Sequence, residues 1–352
     1  EPSQGIVLRR HNRLFYRRWE TGASARQKAP HRWPTLFFKL APTLIFTRCR
    51  FELCRELRTL SKGLSMRLGV VGMLPADFRD IDGDHLEAIA GLRLTGAGFH
   101  SPGELLARVK TSQCDQVAAE FARAGVDLVQ FGIGFSECLF DPEEDVRERV
   151  LDKIHRGLEV GRDLGAHVVL IRTGSLNPSG SYSPCRDNHR PESRQRLIQS
   201  LRAVADKAEE VERTVVVETH LLTIMDSPET NAQVLEAVGS QRMTVVMDYV
   251  NHFQTLHQVY DSAPRLDHIF DIMGPISSVG HCKDLMPSDG LVLHLDEAIP
   301  GEGELDMALA LKRWEELYPE GYMLLEHLPN EKYPRASANT HDIAAAAGID
   351  IH

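Results

Sequence analysis

Eight short apolar runs recur along this chain, and most are followed by a loop and an amphipathic helical stretch. Most runs are rich in Val, Ile and Leu, and the second is weaker and Gly-rich. Within most of the runs the apolar residues are continuous rather than alternating, which is the pattern of strands buried on both faces. Regular alternation of strand and helix predicts a parallel sheet. The runs are residues 66–72, 93–100, 126–133, 167–172, 214–218, 243–248, 276–281 and 322–326.

The number of these units indicates how the sheet is closed. Eight strand-and-helix units within about 285 residues fit a closed barrel better than an open doubly wound sheet. The first strand-helix turn lacks the G-x-G-x-x-G pattern of dinucleotide-binding sheets. We therefore predict an α/β fold, with a single-domain (β/α)8 or TIM barrel over residues 66–352.

The first 65 residues differ in charge from the remainder of the chain. They hold 14 Lys and Arg against 4 Asp and Glu, whereas the rest holds 26 basic and 46 acidic residues. A basic, acid-poor segment is typical of a transit peptide or a nucleic-acid-binding arm. We favour the alternative that residues 1–65 are an extension that is disordered or not part of the native protein, and we expect no stable fold there.

Four consecutive late strands end on a polar side chain that can bind a metal ion: Glu218, Asp248, His281 and Glu326. Their separations of 30, 33 and 45 residues are each about one strand-and-helix unit, the last with an insertion. Because parallel barrel strands all end on one face, these side chains can converge. Three converging carboxylates repel one another, and a divalent cation removes that repulsion. Mixed oxygen and nitrogen ligands suit Mn²⁺, Mg²⁺, Co²⁺ or Zn²⁺ better than Ca²⁺.

The sequence around these residues resembles the xylose isomerase-like barrel superfamily, in particular its sugar isomerases and epimerases. That group includes ketose 3-epimerases, hydroxypyruvate isomerase and inosose dehydratase. The resemblance extends from Met66 to about Pro334. It rests on the order and spacing of VVVETH (215–220), VVMDYVNH (245–252), VGHCKDL (279–285), IPGEGELD (299–306) and LLEH (324–327).

This resemblance implies the same four metal ligands and a catalytic role for two of them. Glu218 and Glu326 would exchange the α-proton of a ketose or keto-polyol through an enediolate that the metal, Mn²⁺ as first choice, stabilises. Two carboxylates on opposite faces of the substrate give epimerisation, and one alone gives aldose–ketose isomerisation. We therefore expect a metal-dependent isomerase whose partner is a small carbohydrate or keto-polyol.

Residues near the ligands are candidates for substrate binding. His220 should point the same way as Glu218, two residues before it on an extended strand. Arg172 ends the fourth strand before a polar Gly/Pro-rich loop of the kind that lines a pocket. Its side chain could bind a substrate carboxylate or phosphate, or form a structural ion pair. Asn251 replaces the histidine of the D-x-x-H pattern of ketose epimerases, and His252 follows it. Asp284 would contact substrate or support the metal ligands.

We expect structural rather than chemical roles for one further segment and for three aromatic residues. The insertion at 286–304, with P-S-D-G and P-G-E-G turns, predicts a hairpin over the mouth. Tyr249, Phe253 and Trp314 have the spacing of core residues.

Different functions remain open on the same fold. The α-proton chemistry also serves a dehydratase or lyase, such as inosose dehydratase or the catalytic subunit of a C-glycoside deglycosidase. A DNA-repair endonuclease of the apurinic-site type needs more metal ligands and a basic groove, and the acidic balance of residues 66–352 argues against it. A non-catalytic barrel would be expected to lack one or more ligands, and none is missing.

The composition of the chain indicates which cellular compartment and which partners to expect. No apolar run approaches the roughly 20 residues that a membrane-spanning helix needs, and we expect neither a membrane nor a nucleic-acid partner. Six cysteines without a C-x-x-C pair favour free thiols in a reducing, cytoplasmic compartment. A homodimer or homotetramer is left open.

Overall fold

The computed structural model describes residues 65–352, and these contain ten strands. Eight of them form a closed barrel in the order β1, β10, β7, β6, β5, β4, β3, β2, with every neighbouring pair parallel. The predicted (β/α)8 barrel is thereby confirmed. In chain order the strands are β1 (Arg67–Val71), β2 (Gly96–Pro102), β3 (Asp127–Gly134), β4 (Val168–Arg172), β5 (Thr214–Glu218), β6 (Met243–Met247), β7 (Ser277–Cys282), β8 (Asp284–Ser288), β9 (His294–Ala298) and β10 (Tyr322–Leu325).

The predicted strands agree with the observed ones to within about three residues. The largest difference is in β2, which begins at Gly96 rather than at Arg93. Arg93 has a φ of 59°, a left-handed conformation that belongs to a turn and not to a strand. Residues 1–64 of the predicted extension lie outside the described part of the chain, so what was expected of them stays a prediction.

Helices follow the strands and cover the outside of the barrel. Local capping residues mark several ends: Asp82 and Ser227 accept hydrogen bonds from backbone N–H groups of the first turn, and Gly125 and Gly165 end helices in the left-handed conformation. The helices are α1 (Gly83–Ala90), α2 (Gly103–Leu106), α3 (Thr111–Ala124), α4 (Glu144–Leu164), α5 (Pro191–Glu210), α6 (Pro228–Val238), α7 (Leu256–Tyr260), α8 (Ala263–Met273), α9 (Met307–Leu317) and α10 (Tyr333–Ala346). None of the helices in residues 65–352 has the length and apolarity needed to cross a bilayer.

The core has two layers, because alternate residues of each strand point inward and outward. Outward residues such as Val215 and Val217 pack with the helices. Inward residues fill the barrel itself, and these are Val71, Val129, Val168, Leu170, Val216, Val246, Val279, Tyr322 and Leu324. Tyr249, Phe253 and Trp314 are buried at 0–1% exposure, which confirms that they are packing residues.

A two-stranded antiparallel hairpin, β8 and β9, interrupts the last unit between β7 and α9. The predicted insertion therefore forms the predicted hairpin. Asp284 fixes its base, since both carboxylate oxygens accept backbone hydrogen bonds, from Leu285 and Leu305 on one side and from Gly301 and Gly303 on the other. These four bonds hold the returning chain beside β8.

Candidate metal centre and active-site cavity

The four predicted metal ligands come together at the carboxyl end of the barrel. Each lies two residues beyond an inward-facing Val or Leu, so strand alternation also turns it inward. One ligand atom from each residue lies within 4.8 Å of the others, and all four side chains are buried. The ligand set is Glu218, Asp248, His281 and Glu326.

The imidazole of His281 is oriented by contacts on both of its nitrogens. Its Nδ1 lies 3.2 Å from Asp248 Oδ2 and 2.8 Å from Glu326 Oε2. Its Nε2 lies 3.0 Å from the side-chain oxygen of Gln130, a fully buried residue of β3. Because the amide oxygen only accepts, Nε2 carries a proton and Nδ1 faces the carboxylates. Nδ1 is therefore the nitrogen that would bind a metal ion.

Lys283 brings a buried positive charge to the same carboxylates. Its Nζ lies 2.8 Å from Asp248 Oδ2, 3.0 Å from Glu326 Oε2 and 3.4 Å from Glu297 Oε1, and its side chain is 2% exposed. A buried ammonium is stable only when such partners surround it. These carboxylates outweigh the effect of burial and raise the pKa of Lys283 well above its usual value.

The charges of the four predicted ligands, and the oxygen atoms among them that lack a hydrogen bond, fit a divalent cation. Asp248 Oδ1 is buried without a hydrogen bond. Glu326 Oε2 lies close to His281 Nδ1 and to Lys283 Nζ, but without hydrogen-bond geometry to either nitrogen. Burial lowers the pKa of His281, but Glu326 and Asp248 together raise it to about 10. The carboxylates thus stabilise positive charge at Nδ1, and a bound cation would replace that proton.

Glu218 faces the open side of the group and is held by a tyrosine. The hydroxyl of Tyr182 donates a hydrogen bond of 2.5 Å to Glu218 Oε2. Tyr182 belongs to the polar loop after β4, which the sequence predicts to line a pocket. Burial is the main reason why the pKa of Tyr182 rises, and the nearby Glu218 carboxylate adds to it, so the phenol keeps its proton.

A cavity of about 310 Å³ opens beside Glu218 and Glu326. This is the small end of the range for ligand sites and suits a molecule of monosaccharide size. The other residues that line it are Val71, Gly72, His100, Arg172, Tyr182, His327, Leu328 and Tyr333.

Two of the predicted substrate-binding residues lie beside this cavity or next to Tyr182. The guanidinium of Arg172 lies over the Tyr182 ring, 5.4 Å from its centroid. The ring of His220 lies 5.5 Å from the same ring, and its Nδ1 accepts a hydrogen bond from the backbone of Leu222. Tyr182 therefore connects both residues to Glu218.

The three other predicted substrate contacts are enclosed by protein. His252 is fully buried, with Nε2 at 3.2 Å from the hydroxyl of Thr219, and the amide of Asn251 donates to the Thr219 carbonyl. Asp284 is fully buried at the hairpin base. These positions favour structural roles, and substrate contact by these three residues stays a prediction.

A model of the xylose isomerase-like TIM barrel family matches residues 87–343. The chain belongs to this family. The search of curated proteins found no sequence that matches this chain.

Solved structures with the same fold include several sugar-converting proteins. A 3-keto-D-glucoside 4-epimerase from E. coli is 16% identical, with a TM-score of 0.56 over 80% of this chain and 99% of that one. A D-psicose 3-epimerase from Clostridium cellulolyticum, solved with D-tagatose, is 14% identical, with a TM-score of 0.59 over 80% and 99%. A family protein from Mycobacterium smegmatis, solved with magnesium, is 14% identical, with a TM-score of 0.60 over 81% and 96%.

Several residues of the site were not predicted from the sequence. His100 carries the same signal as the ligands, because it is an inward polar residue near the end of a strand, β2; burial lowers its pKa. Gln130 is a lone amide within an apolar strand. His327, directly after Glu326, has a φ of 58°, and its Nδ1 lies 3.0 Å from Glu297 of the hairpin. Only the folded chain shows that contact.

Proposed function

We propose that this protein is a divalent-metal-dependent sugar isomerase or epimerase that moves a proton at the carbon next to a carbonyl group. The observation that carries the proposal is that Glu218 and Glu326 reach one group of ligand atoms from different sides of the barrel. They lie at the ends of β5 and β10, which β6 and β7 separate in the sheet. Two carboxylates placed in this way can act on opposite faces of one substrate carbon.

The two carboxylates divide the chemistry between them. A bound divalent cation would polarise the carbonyl oxygen, acidify the neighbouring C–H bond and stabilise the negative charge that develops. Glu218 or Glu326 then removes the proton, and the carboxylate on the other face returns one, which inverts that carbon. If the same carboxylate returns the proton to the adjacent carbon, the result is aldose–ketose isomerisation. Tyr182 holds Glu218 in position for this step.

The structural relatives support a carbohydrate as the substrate class. Two of the proteins with this fold are sugar epimerases by name, acting on a 3-keto-glucoside and on psicose. The cavity volume of about 310 Å³ suits a ketose or keto-polyol. We propose Arg172 and His220 as substrate contacts, because both lie next to Tyr182 at the open side of the ligand group.

Proton exchange in deuterated water tests the proposed reaction directly. Purified protein supplied with Mn²⁺ or Mg²⁺ is incubated in D₂O with a panel of ketoses, keto-inositols and 3-keto-glycosides, and products are followed by NMR. We expect deuterium at the α-carbon of at least one compound. Glu218→Gln and Glu326→Gln should each reduce turnover by about 10²- to 10⁴-fold, whereas the exposed control Glu192→Gln should not.

Two outcomes would refute the proposal. One is full activity in protein that contains no divalent metal by elemental analysis. The other is unchanged α-proton exchange in the Glu218→Gln and Glu326→Gln variants, since the proposed chemistry has no other base.

A dehydratase or lyase is the second candidate, and Tyr182 is the observation that favours it. A phenol that keeps its proton beside the base Glu218 could protonate a leaving hydroxyl group. The same NMR experiment separates the two reactions, because elimination gives a product with one water fewer. Loss of elimination in Tyr182→Phe, with α-proton exchange retained, would identify the tyrosine as that acid.

A further inference from the structure

Arg172 occupies the position in β4 that corresponds to a metal ligand in β5. It follows the inward residues Val168 and Leu170, and in the sheet register it pairs with Glu218. Its side chain lines the same cavity as Glu218 and Glu326. A permanent positive charge thus lies at the substrate side of the metal group.

This guanidinium has no charged partner among residues 65–352. Its side-chain contacts in the described residues are with Tyr182, whose ring it lies over and whose hydroxyl lies within its hydrogen-bonding reach. Several other partly enclosed arginines donate to charged groups or backbone carbonyls: Arg156 to Glu159 and backbone carbonyls, Arg313 to two aspartates, and Arg265 to the carbonyl of His252. An enclosed charge without a counter-ion costs free energy, so an unpaired arginine in a cavity indicates a binding role.

Tyr182 holds the charge in the cavity without neutralising it. The ring lies between Arg172 and His220, and its hydroxyl is bound to Glu218. Contact with an aromatic ring limits the motion of a guanidinium and leaves most of its five N–H donors free. A planar carboxylate can accept two of these donors at once.

The free positive charge at Arg172 indicates which anion the ligand carries. Lys283 pairs with Asp248, Glu326 and Glu297, and none of the described carboxylates forms an ion pair with Arg172. Arg172 adds one positive charge, and it is the only Lys or Arg among the described residues that line the cavity. One carboxylate would neutralise it, whereas a phosphate carries close to two negative charges.

We propose that the physiological substrate is a sugar acid of monosaccharide size, and that Arg172 binds its carboxylate while its keto-hydroxyl end lies between Glu218 and Glu326. This inference rests on the proposed function for the reaction, but the binding of the acid can be measured without turnover. Arg172 is then the residue that makes the site select acids over neutral sugars.

Matched pairs of sugars test this specificity. The α-proton exchange of D-fructose is compared with that of D-fructuronate, and D-tagatose with D-tagaturonate, with D-fructose 6-phosphate as a third arm. We expect kcat/KM to be at least about 100-fold higher for the acid of each pair, since hydrogen bonds between charged groups are the strong ones. Arg172→Met should bring that ratio close to one, and Arg172→Lys should keep part of it. The exposed control Arg108→Met should retain the full preference.

Calorimetric binding of D-fructuronate to metal-loaded protein provides the readout that does not depend on turnover. Arg172→Met and Arg172→Gln should weaken it at least tenfold while circular dichroism shows both variants folded. A preference for the neutral sugar or for the phosphate overturns the inference, and so does acid binding that does not change in the variants. If no sugar exchanges its α-proton but the acid still binds through Arg172, the proposed reaction fails and the acid site stands.

Discussion

The side-chain oxygen of Gln130 lies 3.0 Å from Nε2 of His281, on the opposite side of the ring from Asp248 and Glu326. Neutral imidazole carries one proton, and the residue that accepts it decides which nitrogen is left to bind a metal. Gln130 comes from β3, on the other side of the barrel axis in the strand order. The metal preference of His281 therefore depends on a strand that supplies no ligand.

Gln130→Leu should weaken divalent-metal binding about 10- to 100-fold, the usual effect of losing a partner that orients a ligand. Leucine fills a similar space but accepts no hydrogen bond, so Nδ1 can take the proton and compete with the metal. Calorimetric titration with Mn²⁺ measures the affinity, and the exposed Gln116→Leu is the control. Equal affinities in Gln130→Leu and the parent would show that Gln130 serves only packing.

Lys283→Met should destabilise the protein strongly when divalent metal is removed by a chelator. Asp248 and Glu326 would keep their buried charges but lose the ammonium that lies within 3.0 Å of both. Removing one partner of a buried ion pair costs about 3–5 kcal/mol.

Because a divalent cation can replace the lost charge, Mn²⁺ should stabilise Lys283→Met more than it stabilises the parent. Urea unfolding with chelator and with Mn²⁺ gives both values, and the exposed Lys312→Met should behave like the parent. A variant as stable as the parent in the presence of chelator would contradict this role for Lys283.

The barrel and its four metal ligands could be predicted because both follow from patterns that are local in the sequence. Buried strands are continuous apolar runs, and a ligand such as Glu218 ends a run in phase with the inward residue Val216. The contact of Gln130 could not be predicted in this way. β3 has one extra residue, Val129, relative to β2, and this irregularity sets which side chains beyond it point inward.

The residues around the proposed substrate cavity were harder to predict, because their contacts depend on how the loops after the strands fold back onto the barrel. The loop that contains Tyr182 was predicted to line a pocket, but the hydrogen bond to Glu218 spans 36 residues and leaves no periodic signal. His252 and Asp284 lie directly beside motif residues in sequence. In the fold, His252 is turned behind Thr219, and Asp284 binds the backbone of the hairpin.

Asp284→Asn should loosen the β8–β9 hairpin without unfolding the barrel. The carboxylate accepts four backbone hydrogen bonds, two on each oxygen, and an amide keeps one accepting oxygen and turns two hydrogens toward N–H donors. Hydrogen exchange of residues 286–305 should become at least tenfold faster, while β5 and β6 keep their protection. The exposed hairpin variant Asp289→Asn is the matched control, and unchanged exchange in Asp284→Asn would be inconsistent with this role.

His252 should make the stability of the protein fall with decreasing pH. Burial lowers its pKa from 6.5 to about 4, although the nearby Asp248 carboxylate acts in the opposite direction. Because the unfolded chain binds the proton more tightly, this contribution is complete above pH 6.5 and is lost as the pH falls toward 4. Between pH 7.5 and pH 5 the loss is about 2 kcal/mol.

His252→Gln removes the titrating group, so the difference in free energy of unfolding between parent and variant should shrink by that amount over the same range. Urea unfolding at several pH values measures it, with the exposed His294→Gln as the control. A difference that stays constant from pH 7.5 to pH 5 would mean that His252 binds its proton equally well in the folded and unfolded chains, and it would contradict this prediction. Arg265 donates two hydrogen bonds to the backbone carbonyl of His252, and its positive charge opposes that protonation. The stability of His252→Gln should therefore fall less than that of the parent between pH 7.5 and pH 5, by the contribution of this one histidine.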